Sequence, residues 1–173
     1  YEIKECDWSS DVCSSDLARN QEPIWAALCD GTIDVIATDH APHSIEEKTR
    51  QDIWTVDCGF PGVETQMPLM LTAVAKGRGS ICDYVRWSAA NPAKIWGLYP
   101  RKGVIQPGAD ADIAVVDLNR RWTIVDTELH STAKISPWNG WEVQGMPLHT
   151  IVRGRFVVRS EEHTSELQSH SFI

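Results

Sequence analysis

The residues best able to do chemistry lie together in the segment TDHAPH, where Asp39, His40 and His43 combine one carboxylate with two imidazoles. A carboxylate can coordinate a divalent metal ion and accept a proton, and an imidazole can orient a substrate or stabilise charge. Because a catalytic zinc ion takes about three protein ligands, Asp39 would need partners from elsewhere in the protein. On spacing alone, a structural hypothesis is equally good: Asp39 caps a turn and both histidines bind backbone groups.

The residues before TDHAPH predict an α/β unit. In residues 22–31, EPIWAALCDG, apolar residues share one helical face and a glycine ends the run, which predicts an amphipathic helix. Residues 33–38, IDVIAT, are short, apolar and partly β-branched, as in a strand buried on both faces of a parallel sheet. Active sites in barrels and open α/β sheets lie at the C-terminal ends of strands, so this position favours a functional site.

Helices are also predicted downstream. Residues 44–57 are charged and predict a loop with a short helix through IEEKTRQDIW, followed by the turn GFPG. Residues 63–76, VETQMPLMLTAVAK, carry apolar residues at helical spacing. The run SICDYVRWSAANPAKIWGL predicts a further helix with Ser80 as its N-cap and a break at Asn91 and Pro92.

After residue 103 the pattern changes to β structure. VIQPGADADIAVVDLNRRWTIVD contains strand-like runs separated by turn residues, and LHTIVRGRFVV predicts a hairpin with a glycine at its turn. The sequence therefore predicts an α/β fold in which an α/β part over residues 18–102 is followed by a β segment over residues 103–158.

The sequences of the two ends differ from that of the middle, and a relationship between them indicates that both ends are not native. SEEHTSELQS, residues 160–169, can be encoded TCG GAA GAG CAC ACG TCT GAA CTC CAG TCA. The reverse complement of that string, read from its second base and completed by one pyrimidine, encodes DWSSDVCSSD, residues 7–16. The nucleotide string resembles a sequencing adapter. We therefore expect residues 1–17 and 159–173 to be translated adapter sequence, which has no place in an argument about the fold.

Composition excludes several classes of protein. The formal net charge of −8 and pI near 5.2 argue against a nucleic-acid surface, which needs clustered Lys and Arg. The sequence has no run of about 18 apolar residues and no signal-like N-terminus, so we expect a cytoplasmic protein without a membrane span. Outside the adapter-like ends, Cys29, Cys58 and Cys82 show no CxxC spacing, which predicts buried or half-buried free thiols.

Four runs in order resemble the C-terminal part of dihydroorotases, which belong to the cyclic amidohydrolases: GTIDVIATDHAPHSIEEK, GFPGVETQMPLMLT, NPAKIWGLYPRKGVIQPGADADIAVVD and LHSTAKISPWNGWEVQGMPLHTIVRG. The resemblance implies a TIM-like (β/α)8 barrel that ends within residues 18–102, with residues 33–38 as its last strand. It also implies that residues 103–158 form the C-terminal segment of a small composite β domain.

The resemblance also implies a site. Asp39 would bind a divalent metal, usually one or two Zn²⁺ ions, and carry the proton between the attacking oxygen and the leaving amide nitrogen. His43 would contact the substrate carboxylate, while Cys58 and Gly59 would contact the pyrimidine ring through their backbone. Cys58 departs from the apolar residue expected there. The implied reaction interconverts dihydroorotate and N-carbamoyl-aspartate in pyrimidine biosynthesis, in a protein that forms a homo-oligomer or partners a carbamoyltransferase.

Two alternatives remain open. A hydantoinase, dihydropyrimidinase or allantoinase shares the metal chemistry and differs in its pocket, and His43 is the discriminating residue because an imidazole suits the carboxylate of dihydroorotate. A non-catalytic homologue could instead serve as a structural partner. The HxH pair, bridging lysine and further histidines of the family do not occur in these 173 residues, so we expect this chain alone to be inactive and prone to aggregation.

Overall fold

The computed structural model describes residues 18–159, in which helices precede a small antiparallel sheet. The sheet has three strands in the order β1-β2-β3. The helices are α1 (Gln21–Asp30), α2 (Ile45–Lys48), α3 (Val63–Ala75), α4 (Ile81–Val85) and α5 (Asn91–Ile95), with 3-10 turns at Ala18–Asn20, Ile53–Thr55 and Asp126–Glu128; the strands are β1 (Ile113–Thr123), β2 (Glu142–Val152) and β3 (Arg155–Arg159). None of the helices described is long and apolar enough to cross a membrane.

Helix α3 joins the helical part to the sheet. Its Leu71 is buried, and it lies so close to Gly145 of β2 that a Cβ at Gly145 would be 2.7 Å from the Leu71 side chain. At the next residue of the helix, the Thr72 hydroxyl accepts a hydrogen bond from the Gln144 N–H at 2.8 Å. Because apolar packing and a side chain-to-backbone bond fix the same face, α3 holds a defined position on β2.

The predicted break at Asn91 and Pro92 is wrong. Ser80 is the N-cap of α4, as predicted, in a capping box with Asp83, but the helix runs through a π-helical turn, Arg86–Ala90, directly into α5. The Asn91 N–H donates to the Arg86 carbonyl, five residues back. A proline has no N–H and crowds the carbonyl four residues before it, so a locally widened helix lets the chain continue past Pro92.

The predicted strand over residues 33–38 is absent from the strands of the described region. Strand pairing needs a neighbouring strand, and none of the three strands described pairs with this segment. Its backbone is held instead by the Ile33 N–H, which donates to the Ala27 carbonyl at 2.9 Å, and the Ile36 N–H, which donates to the Trp87 carbonyl at 3.3 Å. Trp87 is 1 % exposed, so this segment lies beside the helical core.

The sheet largely follows the predicted β pattern. The separate runs expected in the β1 region form one strand with a bulge between Asp117 and Arg121, where the Asp117 carboxylate accepts the Asn119 N–H at 2.8 Å. The predicted hairpin is confirmed as β2 and β3. Its turn residues Arg153 and Gly154 have φ of 50° and 78°, the left-handed conformation that a two-residue type I′ turn requires.

Candidate active site

Asp39 has the backbone and surroundings of a residue held for a purpose other than packing. Its φ is 45°, in the left-handed region that few residues other than glycine, asparagine and aspartate adopt. Its side chain is exposed, and within residues 18–159 the structure shows no hydrogen bond or ion pair to its carboxylate. The carboxylate is therefore free to bind a ligand from outside this part of the chain.

His40, the next residue, binds the N-terminus of α3. Its ring Nδ1 accepts hydrogen bonds from the N–H groups of Gly62, at 3.0 Å, and Val63, at 3.3 Å. The N-cap residue of α3 is Gly62, which has no side chain to satisfy these donors. A ring nitrogen that accepts hydrogen bonds carries no proton, so Nδ1 is the acceptor nitrogen of the ring and Nε2 the donor.

Two glycines allow the turn TDHAPH, residues 38–43, to lie against the turn GFPG, residues 59–62. A Cβ at Gly62 would be 3.0 Å from the Thr38 Cβ, and one at Gly59 would be 2.5 Å from the Ala41 Cβ. The Ala41 N–H also donates to the Phe60 carbonyl at 3.0 Å. The structure therefore brings Gly59, a predicted substrate-contacting residue, beside the turn that carries Asp39.

His43 lies at the far end of this turn, beside a carboxylate that sequence analysis missed. Its Nδ1 is 3.6 Å from an oxygen of Glu47, which lies one helical turn further along the chain. Glu47 belongs to a capping box in which its carboxylate accepts the Ser44 N–H at 2.7 Å. That hydrogen bond lowers the pKa of Glu47, and the nearby charges of His43 and Arg50 lower the pKa further. The S-x-x-E spacing of a capping box is the signal that could have identified Glu47.

His43, Glu47 and Asp57 form a group that could hold a metal ion, since each offers a ligand atom and these atoms lie within 4.8 Å of one another. Both carboxylates already have protein partners. Glu47 accepts the Ser44 N–H, and an Asp57 oxygen lies 3.2 Å from the Arg50 guanidinium. A cation would have to compete with that guanidinium, and Asp39 is not part of this group.

The predicted burial of the thiols is wrong. Cys29, Cys58 and Cys82 are free, as expected, but all three are exposed. Cys29 and Cys82 lie on the outer sides of α1 and α4, while Cys58 is in the loop before Gly59 and its Sγ is 4.0 Å from the Val56 carbonyl. The exposed position of Cys58 next to Gly59 fits a contact made by the backbone of this loop better than one made by a buried side chain.

The sequence of this chain matches the model of one protein family, the amidohydrolase family, over residues 4–157. The chain belongs to the amidohydrolase family. The match begins inside the segment 1–17 that we expect to be adapter-derived. Residues 1–17 and 160–173 lie outside the described residues, and Arg159 ends β3, so the adapter origin of both ends stays a prediction.

Among the most similar relatives are amidohydrolases whose names indicate that they act on hydantoins and dihydropyrimidines. D-phenylhydantoinase of Escherichia coli O1:K1 (APEC) is 36% identical over 143 residues, which are 80% of this chain and 31% of the relative. The solved L-hydantoinase (dihydropyrimidinase) of Arthrobacter aurescens is 38% identical with a TM-score of 0.79, over 86% of this chain and 34% of that one. Dihydropyrimidinase of Brevibacillus agri is 31% identical with a TM-score of 0.79, over 83% and 32%. The chain thus spans about a third of these relatives.

The comparisons confirm the expected superfamily, and they support the hydantoinase and dihydropyrimidinase alternative better than dihydroorotase. The resemblance to dihydroorotases indicated the superfamily and not the substrate because of the residues on which it rested. The residues around Asp39 are expected in cyclic amidohydrolases of every kind, whereas substrate choice depends on the pocket around the ring.

Proposed function

We propose that this chain is part of a metal-dependent cyclic amidohydrolase of the hydantoinase and dihydropyrimidinase type, which hydrolyses a ring amide C–N bond. The observation that carries the proposal is the similarity to D-phenylhydantoinase, at 36% identity over 143 residues. The geometry of Asp39 supports it, because an exposed carboxylate in a left-handed turn, with no partner in the described region, is available for metal and proton. Backbone strain of this kind occurs at functional sites more often than elsewhere.

Asp39 fits a divalent metal, Zn²⁺ by resemblance, as one ligand of the set. When bound, the metal would polarise the ring carbonyl as a Lewis acid. Asp39 would accept a proton from the attacking water as its oxygen bonds to the carbonyl carbon. Asp39 would then deliver that proton to the ring nitrogen as the C–N bond breaks, which yields a carboxylic acid and an N–H group. A carboxylate without a competing protein partner is suited to both transfers.

We propose that the substrate-facing residues are His43 and the backbone of Cys58 and Gly59. Gly59 supports this role because it contacts Ala41, two residues from Asp39. Glu47 is 3.6 Å from Nδ1 of His43, and this interaction would orient the ring and leave Nε2 to face a substrate.

We further propose that residues 18–102 form the end of a (β/α)8 barrel and residues 103–158 a segment of a composite β domain. The order of the elements supports this arrangement, since helices fill the first part and a three-stranded antiparallel sheet the second. Exposed apolar side chains on the sheet support it too, because a further sheet segment would cover them: Val115 and Leu118 on β1, Val152 on β2, and Phe156, Val157 and Val158 on β3.

The full-length protein that carries this segment tests the proposal. Purified with Zn²⁺, it should open the rings of hydantoin and dihydrouracil, measured by loss of ring absorbance, with a kcat/KM at least about tenfold above that for dihydroorotate or allantoin. A preference for dihydroorotate would restore the dihydroorotase hypothesis. A metal-loaded protein that opens none of the four rings would instead support the non-catalytic homologue.

A further inference from the structure

We propose that His40 is a positioning residue, whose imidazole fixes Asp39 by capping helix α3. The proposal rests on the proposed function in one respect only, namely that Asp39 is the reacting carboxylate. The capping interaction itself is independent of the reaction.

Helix α3 lacks a local cap. The first N–H groups of a helix have no partner within the helix, and a Ser, Thr, Asp or Asn at the N-cap usually satisfies one of them. In α3 that place is taken by Gly62, which makes no side-chain cap. His40, 22 residues earlier, supplies the acceptor at 3.0 Å from the Gly62 nitrogen and 3.3 Å from the Val63 nitrogen.

The cap that His40 provides lies directly beside Asp39. Thr38, on one side of Asp39, is within 3.0 Å of where a Cβ at Gly62 would lie, and His40, on the other side, binds the nitrogen of the same glycine. One residue further, the Ala41 N–H binds the Phe60 carbonyl. Residues on both sides of Asp39 are therefore anchored to the start of one helix, and Asp39 alone projects between them with a φ of 45°.

The two nitrogens of the His40 ring have different roles. With Nδ1 occupied by two backbone donors, the only ring nitrogen that His40 can offer outward is Nε2, which carries the proton. A protonated nitrogen donates hydrogen bonds and does not ligate a metal. This chemistry assigns His40 to positioning rather than to the metal ligand set.

A matched pair of variants separates this role from simple packing. The amide oxygen of Asn lies near the place of Nδ1, whereas that of Gln, one carbon further, lies near the place of Nε2. His40→Asn should therefore keep the cap, while His40→Gln and His40→Ala should lose it. All three remove the imidazole, so only the position of the acceptor distinguishes Asn from Gln.

The experiment uses the full-length protein. In the wild type, ¹⁵N NMR of histidine-labelled protein, with His40 assigned from the signal lost in His40→Asn, should show an unprotonated Nδ1 and a protonated Nε2. In His40→Ala and His40→Gln, kcat should fall by about 100-fold with little change in KM, because a small displacement of a reacting group lowers the rate by that order. In His40→Asn, kcat should stay within about tenfold of the wild type.

Each outcome decides the proposal. A signal with Nδ1 protonated, or equal loss of kcat in the Asn, Gln and Ala variants, would overturn it. If the wild type turned over none of the cyclic amides, the proposed function would fail, and the tautomer together with the order of thermal stability, Asn above Gln and Ala, would still decide whether His40 caps α3.

Discussion

The Nδ1 atom of His40 lies 3.0 Å from the backbone nitrogen of Gly62, so the residue that follows the proposed catalytic aspartate caps a helix that begins 23 residues later. The same helix binds Gln144 of β2 through Thr72. Helix α3 therefore contacts the candidate site at its N-terminus and the sheet along its length. The rigidity of the site depends on how well this helix is anchored.

We predict that Asp39→Asn abolishes ring opening in the full-length protein while leaving its fold intact. Asn keeps the shape and tolerates the left-handed backbone, but it cannot accept the proton, so kcat should fall by about 10³-fold or more. Steady-state kinetics and circular dichroism measure the two effects. Asp34→Asn is the control, because Asp34 is also exposed and lies five residues earlier. Near-normal turnover of Asp39→Asn would contradict the assigned role.

We predict that Gly59→Ala is more harmful than an alanine at another glycine with positive φ. At Gly59, φ is 96° and the added Cβ would lie 2.5 Å from the Ala41 Cβ, so backbone strain and a steric clash add. At Gly77, φ is 81° with nothing within 4 Å, so only the strain remains. Gly59→Ala should cost about 1–3 kcal/mol more in free energy of unfolding than Gly77→Ala. Equal urea midpoints would show that the two turns are not in contact.

Sequence reasoning located the candidate site because its signals are local. A polar cluster after a short apolar run identified Asp39, and helical spacing gave the bounds of α3 to within a residue. Ser80 was identified as an N-cap from its type and position alone. For Ser80 the interaction that fixes the helix start, a capping box with Asp83, lies within three residues of the signal.

The features that were missed depend on contacts between distant segments. No local pattern shows that His40 caps a helix 23 residues away, or that Glu64 binds the backbone of residues 130 and 131. The strand predicted over residues 33–38 failed for the related reason that a strand needs a neighbour. The helix break predicted at Pro92 was wrong because the prediction considered only the proline and its neighbours. The π turn that accommodates Pro92 is a property of the whole α4–α5 segment.

We predict that the 173-residue chain by itself neither opens a cyclic amide nor holds stoichiometric zinc. Asp39 supplies one ligand where about three are needed, and the carboxylates of Glu47 and Asp57 already have partners. Metal analysis after dialysis and a ring-opening assay measure the two properties. Bound zinc that is lost in His43→Ala would show instead that His43, Glu47 and Asp57 form a metal site of their own.

We predict that Glu64→Gln lowers stability near neutral pH and that this effect disappears in acid. Burial by itself would raise the pKa of Glu64, but hydrogen bonds from the backbone and ring of His130 and from the Ser131 N–H outweigh burial and hold the pKa below its ordinary value of 4.5. A carboxylate with a lowered pKa stabilises the fold above the pKa of the unfolded chain, and that stabilisation is lost as the pH falls through the folded pKa. At pH 7, Glu64→Gln should cost about 1–2 kcal/mol.

The measurement is urea denaturation of the wild type and Glu64→Gln at intervals between pH 7 and pH 4, with Glu128→Gln as the control. Glu128 is an exposed carboxylate in the 3-10 turn Asp126–Glu128, two residues before His130. The stabilisation by Glu64 begins to be lost only below the pKa of the unfolded chain, so the difference between wild type and Glu64→Gln should persist down to about pH 5 and shrink below about pH 4.5. A difference that stayed constant across the whole range would mean that the Glu64 charge contributes nothing and that its hydrogen bonds act as those of a neutral acceptor.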